Sequence, residues 1–221
     1  MHKNTELVMK RLGVSFGENP IRVNGSRYRE LPKLFWKLGF RVGAEIGVCT
    51  GRYSEILCKY NPKVSLFCID PWQEYDEYPE RFLHKNGFAA DVANDYANAK
   101  ARLSKYGCTL IKEFSTDAAK KFPDNSLDFV YIDGNHSFPY VIADLQAWSR
   151  KVRPGGIISG HDYYNTGGNI ENRWRRLMPK NELKLLCQVK DAVDAWTKTN
   201  EINPWFLLTH EKSPSWFWVK E

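Results

Sequence analysis

The chain has 221 residues, 43% apolar, 14% aromatic and 26% charged, which excludes a disordered tail, a collagen-like repeat and a coiled-coil fibre. Its 32 Lys and Arg against 26 Asp and Glu give a formal net charge of +6, spread along the chain with no long block of like charge; this reads as a solvated surface, and no nucleic-acid partner is expected. No apolar run approaches the roughly 20 residues that cross a bilayer, the N-terminus lacks a signal-peptide core, and five scattered cysteines without a CxxC pair point to a reducing, cytoplasmic compartment.

The length suits a single domain over residues 1–221, since domains run to roughly 100–200 residues. Residues 1–40 read as a helical lead-in. ELVMKRLG and ELPKLFWKLG have apolar residues at helical spacing and each ends in Gly, with the turn-rich FGENPIRVNGSRYR between them. From residue 42 strands and helices alternate. VGAEIGV is a short buried strand and GRYSEILCKY a helix; VSLFCID is a second strand, closed by Pro71. Cys58 and Cys68 sit in apolar runs and read as small core residues. A polar stretch precedes the helix DVANDYANAKARLSKYG, followed by the strand CTLIKEF and the short helix STDAAKKF, which opens on capping residues. SLDFVYID is a fourth strand. FPYVIADLQAWSRKV is an amphipathic helix with Val141, Leu145 and Trp148 on one face. PGG is expected to break it before a fifth strand, IISGHD. Residues 165–188 interrupt the rhythm as an insert. VKDAVDAWTKTN is a last helix, and PWFLLTH and PSWFWVK are two strands joined closely enough to be antiparallel. Strands separated by helices mean an α/β domain, with a mostly parallel sheet covered on both faces.

In such a sheet ligands lie across the carboxyl ends of the strands. The first strand ends in AEIGVCTG, placing Glu45, Gly47 and Gly51 there. The E-x-G-x-x-x-G spacing is neither a dinucleotide fingerprint nor a P-loop. Asp70 ends the second strand, where an acid can accept both hydroxyls of a ribose or simply cap the turn. Ser115 and Thr116 follow the third strand, suited to an adenine or to a helix cap. Asp133 and His136 follow the fourth strand, and His161 and Asp162 end the fifth. Carboxylates with imidazoles suit a divalent metal, an imidazole near neutrality suits a general base, and either histidine can be structural. If His161 and Asp162 stay strand-like, only one of them faces the cleft.

The runs GAEIGVCTGRYSEILCK, LFCIDPW, FSTDAAKKF and SLDFVYIDGNHS, with the segment through SGHDYY, resemble the class I S-adenosylmethionine-dependent methyltransferases. They are most similar to a small bacterial and phage group related to metal-dependent sugar O-methyltransferases. The likeness covers about residues 28–163 and resumes at VKDAVDAW and SPSWFWVK. It implies a Rossmann-like seven-stranded sheet of order 3-2-1-4-5-7-6 with strand 7 antiparallel. It implies that Glu45, Gly47 and Gly51 hold the methionine part of S-adenosyl-L-methionine, that Asp70 holds the ribose, and that Ser115 and Thr116 lie on the adenine side. Asp133 would close the cofactor site and serve catalysis, with His136 or His161 as base. Asp133, His161 and Asp162 would match the divalent-metal ligands, magnesium or manganese, although imidazole suits magnesium poorly. The acceptor implied is a sugar or small hydroxylated metabolite; oligomerisation is left open. Two other readings stand beside this one, a nicotinamide-dependent oxidoreductase and a catalytically silent Rossmann-like binding module. No Asn/Asp-Pro-Pro-Tyr/Phe motif for methylating a base amine follows strand four. The insert at 165–188, with Arg173, Trp174, Arg175 and Arg176, is expected to wall the acceptor side.

Overall fold

A computed structural model describes residues 1–73, 92–165 and 187–221. The helices are α1 (Lys3–Leu12), α2 (Glu30–Lys37), α3 (Arg52–Tyr60), α4 (Val92–Leu103), α5 (Ser115–Ala119), α6 (Phe138–Ser149) and α7 (Val189–Thr199). The strands are β1 (Ile21–Val23), β2 (Val42–Ile46), β3 (Ser65–Ile69), β4 (Cys108–Ile111), β5 (Leu127–Ile132), β6 (Val152–Gly160), β7 (Phe206–Leu208) and β8 (Ser215–Val219).

The sheet runs β4-β3-β2-β5-β6-β8-β7-β1, with β8 antiparallel to both its neighbours and every other pair parallel. Seven of these strands stand in the expected order, including the terminal hairpin. The eighth is a correction. Ile21–Val23, inside the turn-rich part of the lead-in, pairs with Phe206–Leu208 and extends the sheet edge. Three residues are too few for an alternation to stand out in the sequence, and the edge of β7 supplies the ladder that they lack alone.

Alternate strand residues feed two cores. Leu66, Phe129, Ile157 and Phe217 pack with Val8, Leu34, Phe35, Leu57 and Leu103 from α1–α4. Val130, Ile132, Ile158 and Trp216 pack with Ala118, Val141, Leu145, Trp148 and Val193 from α5–α7. Period-two alternation in the strands and 3.6-residue spacing in the helices thus build one layer on each face. A second correction concerns PGG. Pro154, Gly155 and Gly156 do not break the chain but lie within β6, and the β5–β6 register slips between Leu127 and Phe129 to accommodate them. Cys58 and Cys68 are buried as expected, and all five cysteines are free thiols. Among the described residues no helix is long and apolar enough to cross a membrane. The expected lid, apart from Asn165, Cys187 and Gln188, lies outside the described residues, as do Arg173, Trp174, Arg175 and Arg176. Asn165 and Gln188 meet in an antiparallel bridge.

Candidate active site

A cleft of about 1100 Å³ opens across the carboxyl ends of β2–β5. Its floor is the β2–α3 turn. Gly47 has φ +83°, and a Cβ there would lie 2.0 Å from the carbonyl oxygen of Asp133. Gly51 at φ +74° starts α3. Both positions demand the left-handed backbone that glycine adopts at least cost. Asp70 holds this turn: its Oδ2 accepts the backbone N–H groups of Val48 and Cys49, both at 2.9 Å, and its Oδ1 accepts that of Trp72 at 2.7 Å. The turn-capping role is therefore built, and the same carboxylate lines the cleft where a ribose acid is expected.

Glu45, on β2, is 2% exposed and accepts a hydrogen bond from Ser54 Oγ at 2.5 Å. Burial, partly opposed by that bond, pushes its carboxyl up to about 8. Ser115 and Thr116 line the cleft at the start of α5. Ser115 also ties two helices together: its hydroxyl donates to Asp144 Oδ1 at 2.5 Å and accepts from Trp148 Nε1 at 2.7 Å.

At one end of the cleft stands a network of charges. Asp133 Oδ2 receives Arg27 Nη1 at 2.9 Å and lies 3.7 Å from His161 Nδ1. His136 Nε2 is 3.3 Å from Asp133 Oδ1 and 3.0 Å from Asp162 Oδ2. His161 Nδ1 is 3.1 Å from Asp162 Oδ1. His161 and Asp162 do not stay strand-like: both join the cluster, and neither is among the residues lining the cleft. The strand ends at Gly160, and Asp162 adopts φ +55°, so consecutive side chains no longer point to opposite faces. Burial would raise both aspartates, yet hydrogen bonds from the imidazoles and the charge of those rings outweigh it and hold both carboxyls well below their ordinary range. Burial likewise works to lower the histidines, and the two carboxylates prevail. His136 rises well above its ordinary value and His161 rises to about 9.

Two members of this network were not singled out from the sequence. Arg27, from the β1–α2 connection, also bonds the hydroxyls of Tyr131 and Tyr28, each at 2.9 Å, and lies over the rings of Tyr28 and Tyr53. Glu211, in the polar β7–β8 link, accepts the Arg27 backbone N–H at 2.8 Å and the Ser26 hydroxyl at 2.7 Å, and its Oε2 is 3.3 Å from Arg27 Nε. Neither lies in a motif. Only the pairing of β1 with β7 brings the two loops together.

The cleft suits an adenosyl cofactor: glycines at the turn, acids at the ends of β2 and β3, and Phe114, Ser115 and Thr116 beyond β4. For a cation, the donor atoms that come within 4.8 Å of one another belong to Asp133, His136 and Asp162. The set of two carboxylates with an imidazole, and His161 alongside, fits manganese or a later divalent metal better than magnesium, which prefers oxygen.

A family model described as a methyltransferase domain matches residues 44–163, from β2 through the end of the cluster. Over 96 residues the chain is 27% identical to the uncharacterised protein y4gI of Sinorhizobium fredii; the match takes in 43% of this chain and 10% of that protein, so the chain spans about a tenth of its relative. Among solved structures, a candidate caffeoyl-CoA O-methyltransferase of Staphylococcus aureus superposes with a TM-score of 0.64 at 11% identity, covering 100% of this chain and 93% of the other. A candidate O-methyltransferase of Klebsiella pneumoniae gives 0.56 at 14% identity, covering 100% and 91%. At such identities these two speak for the fold alone. The family match speaks against the nicotinamide-dependent oxidoreductase: the chain belongs to the methyltransferase-domain family.

Proposed function

We propose that this enzyme methylates a hydroxyl oxygen of a small acceptor, with sugars and sugar-like metabolites as the first class to test. One observation carries the reading: a cluster of carboxylates and imidazoles meets Asp133, which itself lines the cleft. The cofactor supplies a methyl group already activated on sulfonium, so the protein's main tasks are to align the reactants and to take up the hydroxyl proton. The cleft residues from Glu45 to Thr116 serve the first task. Asp133 stands where cofactor cleft and charge cluster meet. His136, about one-third exposed against 11% for His161, is the more accessible proton acceptor.

In the protein alone both imidazoles keep their protons, because two carboxylates face each of them. An imidazolium is no base. Asp133, His161 and Asp162 would hold a divalent cation, which would acidify a bound hydroxyl and, by engaging both carboxylates, would release His136 to lose its own proton and act as the base.

The test is transfer of labelled methyl from S-adenosylmethionine to a panel of sugars, nucleotide sugars and small polyols and phenols, with and without chelator. A methyl ether as product is expected, with activity lost in chelator, restored by manganese, and lowered roughly a hundredfold or more in His136→Ala, the size of a lost general base. Products methylated only on nitrogen overturn the oxygen assignment. Full activity in chelator removes the cation, and full activity of His136→Ala removes the base.

A further inference from the structure

Cys58 on α3, Cys68 on β3 and Cys108 at the start of β4 meet in the core on the α1–α4 face of the sheet. The β3–β4 register sets Leu66 opposite Cys108, so Cys68 is the diagonal neighbour of Cys108 on that face. Cys58 is 3% exposed and Cys68 is fully buried, whereas Cys108 is partly open to solvent. The Sγ atoms of Cys58 and Cys108 lie 3.3 Å apart, although 50 residues separate them in the chain. Cys68 Sγ donates to Ser54 Oγ at 3.6 Å, and the Ser54 hydroxyl is itself committed to Glu45. The three sulfurs do not converge as metal ligands do: among the described residues, the donor atoms that close to within 4.8 Å of one another belong to Asp133, His136 and Asp162. Hydrogen bonds from the Cys58 and Cys68 thiols push the Cys108 thiol down against its burial, while Cys58 and Cys68 themselves rise. Cys49, the exposed cysteine of the glycine turn, moves the other way, because burial of its sulfur and the Asp95 carboxylate hold its proton. Since the thiolate is the nucleophile, Cys108 is the thiol an oxidant meets first.

We propose that Cys58 and Cys108 form a redox-responsive modification site, at which hydrogen peroxide converts the two thiols into a disulfide tying α3 to β4. The Cys108 thiolate attacks one peroxide oxygen: an S–O bond forms, the O–O bond breaks, and the hydroxide that leaves takes a proton to become water. Cys58 then attacks the sulfur of the Cys108 sulfenic acid: an S–S bond forms, the S–O bond breaks, and hydroxide leaves with the Cys58 proton as a second water. The two thiols lose two electrons and two protons, and the peroxide gains them. The sulfurs have to close from 3.3 Å to about 2.0 Å. The open side of Cys108 admits the oxidant, and Cys58 resolves the sulfenic acid from the buried side. In a reducing compartment such a bond is transient and is undone by thiol exchange. Because α3 starts at the Gly51 turn and carries Ser54 against Glu45, the bond fastens the helix that adjoins the floor of the cleft. The proposal is independent of the acceptor and of any cation.

The test treats the folded chain with a few equivalents of hydrogen peroxide, then unfolds it in urea with iodoacetamide to block the remaining thiols, and maps the unreduced digest by mass spectrometry. A crosslinked peptide pair joining Cys58 to Cys108 is expected, lost on treatment with dithiothreitol, with Cys49, Cys68 and Cys187 alkylated. Cys58→Ser removes the resolving thiol and is expected to leave Cys108 as a sulfenic acid that dimedone labels or that Cys68 captures. The wild-type map needs no variant, so failure of Cys58→Ser to fold leaves the test standing. All five cysteines alkylated after peroxide, oxidation that falls on Cys49 while Cys58 and Cys108 stay free, or a Cys68–Cys108 bond in the wild type overturns the proposal. A folded Cys58→Ser in which Cys108 takes neither dimedone nor a bond to Cys68 overturns it as well.

Discussion

Arg27 shows how much one side chain can organise. Its guanidinium is 13% exposed and faces Asp133 on one side and Glu211 on the other, while Tyr28, Tyr53 and Tyr131 surround it. The burial that would disfavour a charge is met by partners: the Tyr131 hydroxyl and the Asp133 carboxylate keep the group charged. Removing it strips the half-buried carboxylates of Asp133 and Glu211 of the guanidinium they share. Arg27→Met is expected to cost about 3 kcal/mol, the range for breaking a buried pair. The corresponding fall in melting temperature is roughly 6–12 °C for a chain of this size. Adding Glu211→Gln to Arg27→Met should recover part of the loss, since it removes one of the stranded charges. Thermal unfolding of the two single variants and the double one measures this, and strictly additive losses would mean that the two side chains are not coupled.

At the scale of the element, α6 connects stability with the cleft. Its inner face carries Val141, Asp144, Leu145 and Trp148, at the three- and four-residue steps that a helix brings onto one side. Leu145 and Trp148 are fully buried in the core beneath β5 and β6, and the Trp148 ring lies 5.2 Å from that of Phe122. The same face therefore anchors the helix and aims Asp144 at the cleft. Leu145→Ala is expected to cost about 2–5 kcal/mol, the loss of a buried leucine together with the cavity left behind, as measured by denaturant unfolding. A cost under about 1 kcal/mol would show that the helix repacks freely.

For the whole molecule, the buried carboxyls set how stability responds to pH. Folding raises Glu45 from its ordinary 4.5 to about 8 and Asp144 from 3.8 to about 7. Between the two values of each group the native state keeps a proton that the unfolded chain has lost, so stability falls as pH climbs through that window. The stabilisation is full below about pH 4 and is gone by about pH 8. Each group contributes a slope of up to about 1.4 kcal/mol per pH unit. The raised imidazoles of His136 and His161 act with the same sign. The melting temperature of the ligand-free protein is thus expected to fall steadily from pH 5 to pH 8, and Glu45→Gln with Asp144→Asn should flatten the decline. A melting temperature that rises over this interval would contradict the buried, protonated state of both acids.

The sequence by itself determined the strand–helix rhythm, the class of fold, the glycine turn, and the acids and histidines at the strand ends. These rest on local physics. Period-two and period-3.6 spacing decides which face is apolar, glycine decides where the chain can turn tightly, and strand ends in a parallel sheet share one rim. Tertiary structure alone decided what those residues touch. It made three residues of the lead-in into an eighth strand, because a short ladder exists only against β7. It ran β6 through Pro154-Gly155-Gly156, where the register with β5 passes from Val152 to Ile157 and the backbone of Gly155 and Gly156 bonds that of Lys220 instead. It turned His161 and Asp162 to the same side by a left-handed residue beyond the strand end. It also brought Arg27, Glu211 and Asp144 to the cleft from segments with no motif. An ion pair between residues 27 and 133, or 27 and 211, is a contact between distant parts of the chain, and no local spacing encodes it.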